Sequence, residues 1–229
     1  IVNLCDDLHL RENANILLFT SHHTKSPIIY EKISAALEHC FDQEPVFCFE
    51  RDVQTLNSLV ESAPQLIYQE ESTHITRAKI RENQDRNEDT SPQVDDVAAG
   101  ANVVAAITRL FRGMEILGQF LKNHYGSTKN SVKEELIDKL LQSALRGLHG
   151  TTTLLLQDTD ALAIHIERIL AERQPSMGTE AVKALAKRIV FDILGMITYG
   201  FVQKAASAVG SSYLKSNLET VVENSNTLA

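Results

Sequence analysis

The chain of 229 residues carries 22 Lys and Arg against 30 Asp and Glu, a formal net charge of -8. This balance argues against broad binding of nucleic acid or anionic membranes, because both require a basic surface. Hydrophobic residues make up 43% and aromatic residues only 6%, which favours packed helices over a large β-sheet core.

The chain contains three cysteines, Cys5, Cys40 and Cys48, without the paired spacing of a disulfide framework or zinc site. We interpret them as buried, reduced thiols of a cytoplasmic protein. No secretory signal is visible, and no apolar run is long enough to span a membrane. The first residue is Ile1 rather than Met, so we expect the native protein to be longer.

The first third of the chain alternates short apolar runs with helical patterns. Residues 16–20 form an apolar run that ends in polar residues, which fits a buried strand. Ser26 before Pro27 signals the start of a helix. Residues 45–49 and 66–68 are two further strand candidates. The order β-α-β-α-β predicts a small three-stranded parallel sheet with helices packed on it.

The remaining chain divides into a charged segment and a helical region. Residues 70–96 mix acidic and basic side chains with few apolar ones, and we interpret them as a linker between domains. Residues 97–229 follow helical spacing and predict a bundle of about five helices. The predicted fold class is therefore α-rich α+β, with an α/β module at residues 1–69, the linker, and the bundle.

Three glycines bear on how that bundle packs. We interpret Gly118 as the point of a tight helix crossing. Residues 181–209 are apolar around nearly their whole circumference, which places this helix at the centre of the bundle. Gly195 and Gly200 would permit neighbouring helices to approach it closely.

No complete catalytic or nucleotide-binding motif occurs, because GxxxxGK[ST] and GxGxxG are both absent. We therefore assign no catalytic residue, metal site or cofactor to this chain. Asp6 and Asp7 follow an apolar run as the acids of a Walker B strand do, and are weak candidates for nucleotide binding. Ser21, His22 and His23 are also weak candidates, because they would follow a strand at the sheet edge where α/β proteins bind ligands.

A polar group near the end of one predicted helix suggests a surface for another domain. Gln119, Asn123, His124 and Tyr125 are unusual choices for a simple solvated helix. We consider them either a helix end closed by Gly126 or a docking surface.

Three stretches carry a family resemblance: 112–127 (RGMEILGQFLKNHYGS), 199–206 (YGFVQKAA) with 209–212 (VGSS), and 16–23 (ILLFTSHH). The first two resemble the region downstream of the ATPase core in bacterial STAND-type P-loop NTPases, and residues 16–23 resemble the small α/β segment that precedes the helical region in such proteins. The resemblance implies a larger ATP-dependent protein of signalling or antiviral defence that oligomerises when triggered. ATP and Mg²⁺ would bind in that parent protein, since the Walker A loop is absent here.

The function that this resemblance implies is a non-catalytic relay or scaffold portion, whose partners are other domains or further copies. Residues 19–22 also resemble the start of a TIR domain, so one alternative is an enzyme module that uses the loop from Ser21 to His23. A second alternative is a free-standing oligomeric scaffold. A pocket beside the histidines with an acidic residue would favour the enzyme, whereas an exposed apolar stripe would favour the scaffold.

Overall fold

The computed structural model describes residues 4–5, 7–52, 98–157, 159–173 and 178–225. These residues contain seven helices of ten residues or more and no β-strand. The helices are α1 (Arg11–His23), α2 (Pro27–Glu38), α3 (Ala98–Asn123), α4 (Asn130–Gln157), α5 (Thr159–Arg173), α6 (Thr179–Val209) and α7 (Lys215–Asn224).

The predicted first strand is wrong, because residues 16–20 lie within helix α1. The helix buries Ala14, Leu17 and Ser21, which recur at helical spacing. Ile16 and Phe19 remain 50% and 68% exposed. The apolar run is therefore buried along one line only, as a helix lying on a core requires, and not on two faces as in a parallel sheet.

The predicted second strand is also wrong, because residues 45–48 pair with no strand in the described part of the chain and residues 49–52 are helical. The backbone N–H of Phe47 instead donates to the carbonyl of Leu145 on α4, at 3.4 Å. The Phe47 side chain is buried in the core. The buried Phe47 side chain and this hydrogen bond to α4 hold the segment in place. The third strand candidate, 66–68, lies outside the described residues.

The helix start predicted at Pro27 is confirmed. Pro27 is the first residue of α2 and Ser26 occupies the N-cap position in extended conformation. A proline suits this position because its missing N–H would have no partner inside the helix. Ile29, Ile33 and Leu37 then form a fully buried row, four residues apart.

Helices α3, α4 and α6 form the centre of the predicted bundle. The ring of Phe111 on α3 lies 4.9 Å from that of Phe201 on α6, and Gly118 contacts Ala208, so α3 and α6 run parallel. Helix α4 runs antiparallel to both, and its Gly147 faces Leu110 and Phe201. Helices α1 and α2 pack on α3, and α7 packs on α4.

The tight crossing predicted at Gly118 is confirmed. A Cβ atom at this position would lie 2.5 Å from the carbonyl oxygen of Ala208. Only glycine allows this approach of two backbones, since real Cβ atoms essentially never come so close. For the described helices, the corresponding prediction for Gly195 and Gly200 is wrong, because a Cβ atom at either would meet no atom of the described residues within 4 Å.

One core connects most of these helices. Side chains of α1 and α2 such as Leu17 and Ile33 belong to the same buried cluster as Leu117 of α3 and Leu140 of α4. The predicted domain boundaries at residues 69 and 96 lie outside the described residues and stay a prediction. We call the helices that share this cluster the body.

A second, smaller packing unit lies at the N-terminal end of α6. Helix α5 packs against α6, and Val182, Ala186, Val190 and Leu194 of α6 are buried outside the main cluster. We call α5 together with residues 179–194 the arm. Among the helices of the described residues, none has the length together with the apolarity that crossing a lipid bilayer requires.

Candidate docking site

The C-terminal ends of α1 and α3 lie side by side because the two helices run parallel. The residues just before α1 meet the middle of α3, where the Arg112 guanidinium donates to the backbone carbonyls of His9, at 2.5 Å, and Leu8, at 3.5 Å. At their C-terminal ends, His124 contacts Ser21. Two candidate groups about 100 residues apart in sequence therefore meet, and we call this contact the junction.

His124 provides the buried part of the junction. Its side chain is 6% exposed, and its ring lies 4.7 Å from the ring of Phe120. Nε2 lies 2.7 Å from the carbonyl oxygen of Ser21. Because a carbonyl oxygen can only accept, the Nε2–H group donates this bond. It satisfies a carbonyl in the last turn of α1, where the helix offers no N–H partner.

The prediction that Ser21–His23 is a loop after a strand is wrong, because these residues form the last turn of α1. Their side chains contact neighbouring residues. The Ser21 hydroxyl donates to the carbonyl of Leu18 at 2.7 Å. Nδ1 of His22 lies 2.8 Å from the amide nitrogen of Asn123. The exposed ring of His23 lies 4.4 Å from the ring of Phe19. The described contacts of both histidines are thus with an amide and an aromatic ring.

Tyr125 links the junction to the start of α4. The buried Lys133 ammonium lies 4.0 Å from the centre of the Tyr125 ring, a cation–π contact. The same ammonium donates to the Tyr125 carbonyl at 3.3 Å. Gln119 is half-buried on α3. Asn123, His124 and Tyr125 therefore each make a contact within the chain, although the Asn123 side chain remains exposed.

The other nucleotide-binding candidates lie apart from the junction. Asp7 is exposed in a turn, and its backbone carbonyl accepts from the N–H of Leu10 and the amide of Asn13. Asp6 lies outside the described residues. Across the described ranges, no group of three His, Cys, Asp or Glu side chains is arranged to hold a metal ion.

An exposed apolar surface on α6 was missed by the sequence analysis. Met196 and Tyr199 are each 66% exposed, and Val202 is 47% exposed. Gly195 and Gln203 lie beside them and are also exposed. We call these five residues the α6 stripe. Glycines and a tyrosine at helical spacing in an otherwise aliphatic helix were the signal that could have indicated it.

A cleft between α4 and the Phe47 segment also contains an oriented histidine. It has a volume of about 370 Å³, and His149, Asp52 and Thr152 help to line it. Nδ1 of His149 lies 3.0 Å from Oε2 of Glu44, an arrangement that orients a general base. The Thr152 hydroxyl, however, donates to backbone carbonyls of its own helix. The cleft therefore offers a base without a positioned nucleophile.

No known protein family, curated protein or solved structure matches this chain.

Proposed function

We propose that this chain is a non-catalytic docking module that acts as a relay or scaffold through its helix faces. The observation that carries the proposal is the α6 stripe. Large apolar side chains on a described helix face contact water, and contiguous patches of this kind mark interaction surfaces. An enzyme would require a pocket beside the histidines, whereas a scaffold would require an exposed apolar surface such as the α6 stripe.

The enzyme alternative receives no comparable support. It requires an acidic residue beside His22 or His23 within a pocket. The described partners of these histidines are Asn123 and Phe19, and Ser21 is completely buried with its hydroxyl bonded to Leu18. A buried hydroxyl that already donates to a carbonyl is a poor nucleophile and a poor ligand for substrate.

The parent protein stays a prediction. The resemblance to the region downstream of STAND-type ATPase cores implies that the module transmits or receives a nucleotide-dependent signal. In that setting, the α6 stripe would contact another domain or another copy, and ATP would bind elsewhere.

The first test is calorimetric titration of the purified chain with ATP–Mg²⁺, ADP and NAD. We expect no heat of binding at ligand concentrations up to about 1 mM, equivalent to less than about 4 kcal/mol of binding free energy. Micromolar binding of any of the three would overturn the non-catalytic proposal. His22→Ala would then show whether the C-terminal end of α1 holds that nucleotide.

The second test asks whether the stripe docks. Tyr199 is replaced by the photo-crosslinking amino acid p-benzoylphenylalanine in the protein expressed in its native cells. Tyr213 is the matched control, because it is also a tyrosine and is 64% exposed against 66% for Tyr199. We expect discrete cross-linked products from position 199 only. Equal yields at both positions, or none at 199, would contradict a docking role.

A further inference from the structure

The α6 stripe is uncharged and centred on an aromatic residue. No Asp, Glu, Lys or Arg occurs between residues 193 and 203, and Tyr199 lies between Met196 and Val202, three residues from each. We propose that the stripe binds the same stripe on a second copy of the chain, antiparallel, about a two-fold axis at Tyr199. This proposal rests on the docking function above and names its partner.

The spacing of side chains makes the stripe self-complementary. In an antiparallel pair, residues equally far from Tyr199 on opposite sides face each other. Met196 of each copy then packs against Val202 of the other, and the two tyrosine rings meet at the axis. Gly195 faces Gln203, and the open space around Gly195 leaves room for that longer side chain. Each residue contact occurs twice, as an isologous interface requires.

The charges at the ends of the stripe favour the antiparallel direction. Arg188 and Asp192 form an ion pair on α6, with Nε and Oδ1 3.1 Å apart. In an antiparallel pair, Asp192 lies opposite Ala206 and Arg188 lies opposite Gly210, so no charge meets a like charge. A parallel pair would place Asp192 beside Asp192 of the second copy and Arg188 beside Arg188. Such contacts between like charges are destabilising.

The exposed area predicts a weak dimer. Met196, Tyr199 and Val202 together expose roughly 300–400 Å² of side chain, within the range of the largest patch on a typical monomer. Two such patches with their surrounding residues bury on the order of 1,000–1,200 Å², the lower end for specific interfaces. An interface of this size is typical of weak association, and the net charge of -8 on each chain opposes association at low salt.

Sedimentation equilibrium of the full chain between about 5 and 500 μM tests the association. The wild-type chain should shift from monomer to dimer over this range. Tyr199→Asp should weaken the dimer at least 100-fold, because it places two carboxylates at the axis. Tyr213→Asp, at a similarly exposed tyrosine in the turn after α6, should dimerise like the wild type. Circular dichroism verifies that both variants fold.

Disulfide trapping tests the direction of the helices. Met196→Cys and Val202→Cys are made separately in a Cys48→Ser background and mixed under mild oxidation. The antiparallel pair predicts a bridge between positions 196 and 202. A bridge between two copies of position 196 that equals or exceeds it would overturn the proposed register. No bridge at concentrations where the chain dimerises would overturn it too.

The outcomes separate this inference from the docking function. A chain that stays monomeric at 500 μM, or whose Tyr199→Asp variant dimerises like the wild type, overturns the second-copy inference. If photo-cross-links at position 199 then join a different protein, the docking function stands. If position 199 gives no cross-link at all, both proposals fail.

Discussion

The two ends of helix α6 lie in different environments although the same chain segment builds both. At the C-terminal end, Phe201, Ala205 and Val209 belong to a core shared with five other described helices, α1 to α4 and α7. At the N-terminal end, the buried residues form one row, four apart, and none of the α5 side chains that the structure describes is buried. Burial alone does not measure how many elements hold a residue. We therefore expect the arm to open at a lower free energy than the body.

The largest effect should come from substituting the glycine at the centre of the body. In Gly118→Ala, the new methyl group would lie 2.5–2.9 Å from backbone atoms of Ala208, which no side-chain rotation can relieve. We expect a loss of about 3 kcal/mol in the free energy of unfolding, at the upper end for overpacked cores. Urea denaturation followed by circular dichroism measures it.

Gly195→Ala is the matched control, because it adds the same methyl group to the same kind of helix in open space. It should leave the free energy of unfolding unchanged or raise it by about 0.5–1 kcal/mol, since alanine has a higher helix propensity than glycine. Equal losses from the two substitutions would show that the close crossing of α3 and α6 is not what Gly118 provides.

The second effect tests directly whether body and arm unfold together. Val209 and Val182 are both 3% exposed and lie at opposite ends of α6. Changing either to Ala removes the same two methylene equivalents and should cost about 2 kcal/mol locally. Val209→Ala should lower the urea midpoint of the whole chain. Val182→Ala should lower hydrogen-exchange protection in α5 and residues 179–190 only.

An equal fall of the global midpoint in both variants would contradict a separable arm. It would mean that a single row of contacts couples α5 to the body fully. The absence of any change in exchange for Val182→Ala would instead show that the row does not hold the arm.

A smaller effect is expected at the junction, where the body ends in polar contacts. His124→Leu removes the donor to the buried Ser21 carbonyl and should cost about 1–3 kcal/mol, the penalty of an unsatisfied buried group. Asn123→Ala removes the neighbouring exposed contact with His22 and should cost less than about 0.5 kcal/mol. Thermal unfolding of the two variants gives the difference. Similar melting temperatures would show that the hydrogen bond from His124 to the Ser21 carbonyl contributes little to stability.

Local signals in the sequence predicted some of this structure, and contacts between distant segments decided the rest. The helix start at Pro27 follows from the properties of proline, and the close crossing at Gly118 follows from those of glycine. A four-residue apolar run is ambiguous between strand and helix. For residues 16–19 the answer depends on α3, about 100 residues later, which covers only one side of them.

The same limit applies to the candidate sites. Ser21, His22, Asn123 and His124 were each singled out as unusual, but nothing in their own segments indicates that they meet. Residues 181–209 were predicted to be the centre of the bundle from their composition. The α6 stripe is exposed because no described helix covers that face, and the number of neighbours around a helix is not encoded in its own residues.

The last prediction uses the cysteines to report the opening of the body. Burial raises the pKa of the Cys40 thiol to about 11, so at pH 8 only about one molecule in a thousand carries the reactive thiolate. Cys5 is buried as well, whereas Cys48 is half-buried at the edge of the body. A chromogenic disulfide reagent should therefore react with one thiol quickly and with two slowly. Cys48→Ser should remove the fast phase.

The slow phase should then distinguish the two ends of α6. If Cys5 and Cys40 react only after the body opens, a loss of about 2 kcal/mol in Val209→Ala accelerates that phase about 30-fold, since 1.4 kcal/mol corresponds to a factor of ten. Val182→Ala should leave the rate unchanged, because opening the arm exposes neither thiol. Equal acceleration by both variants would contradict independent opening by a measurement that does not depend on denaturant.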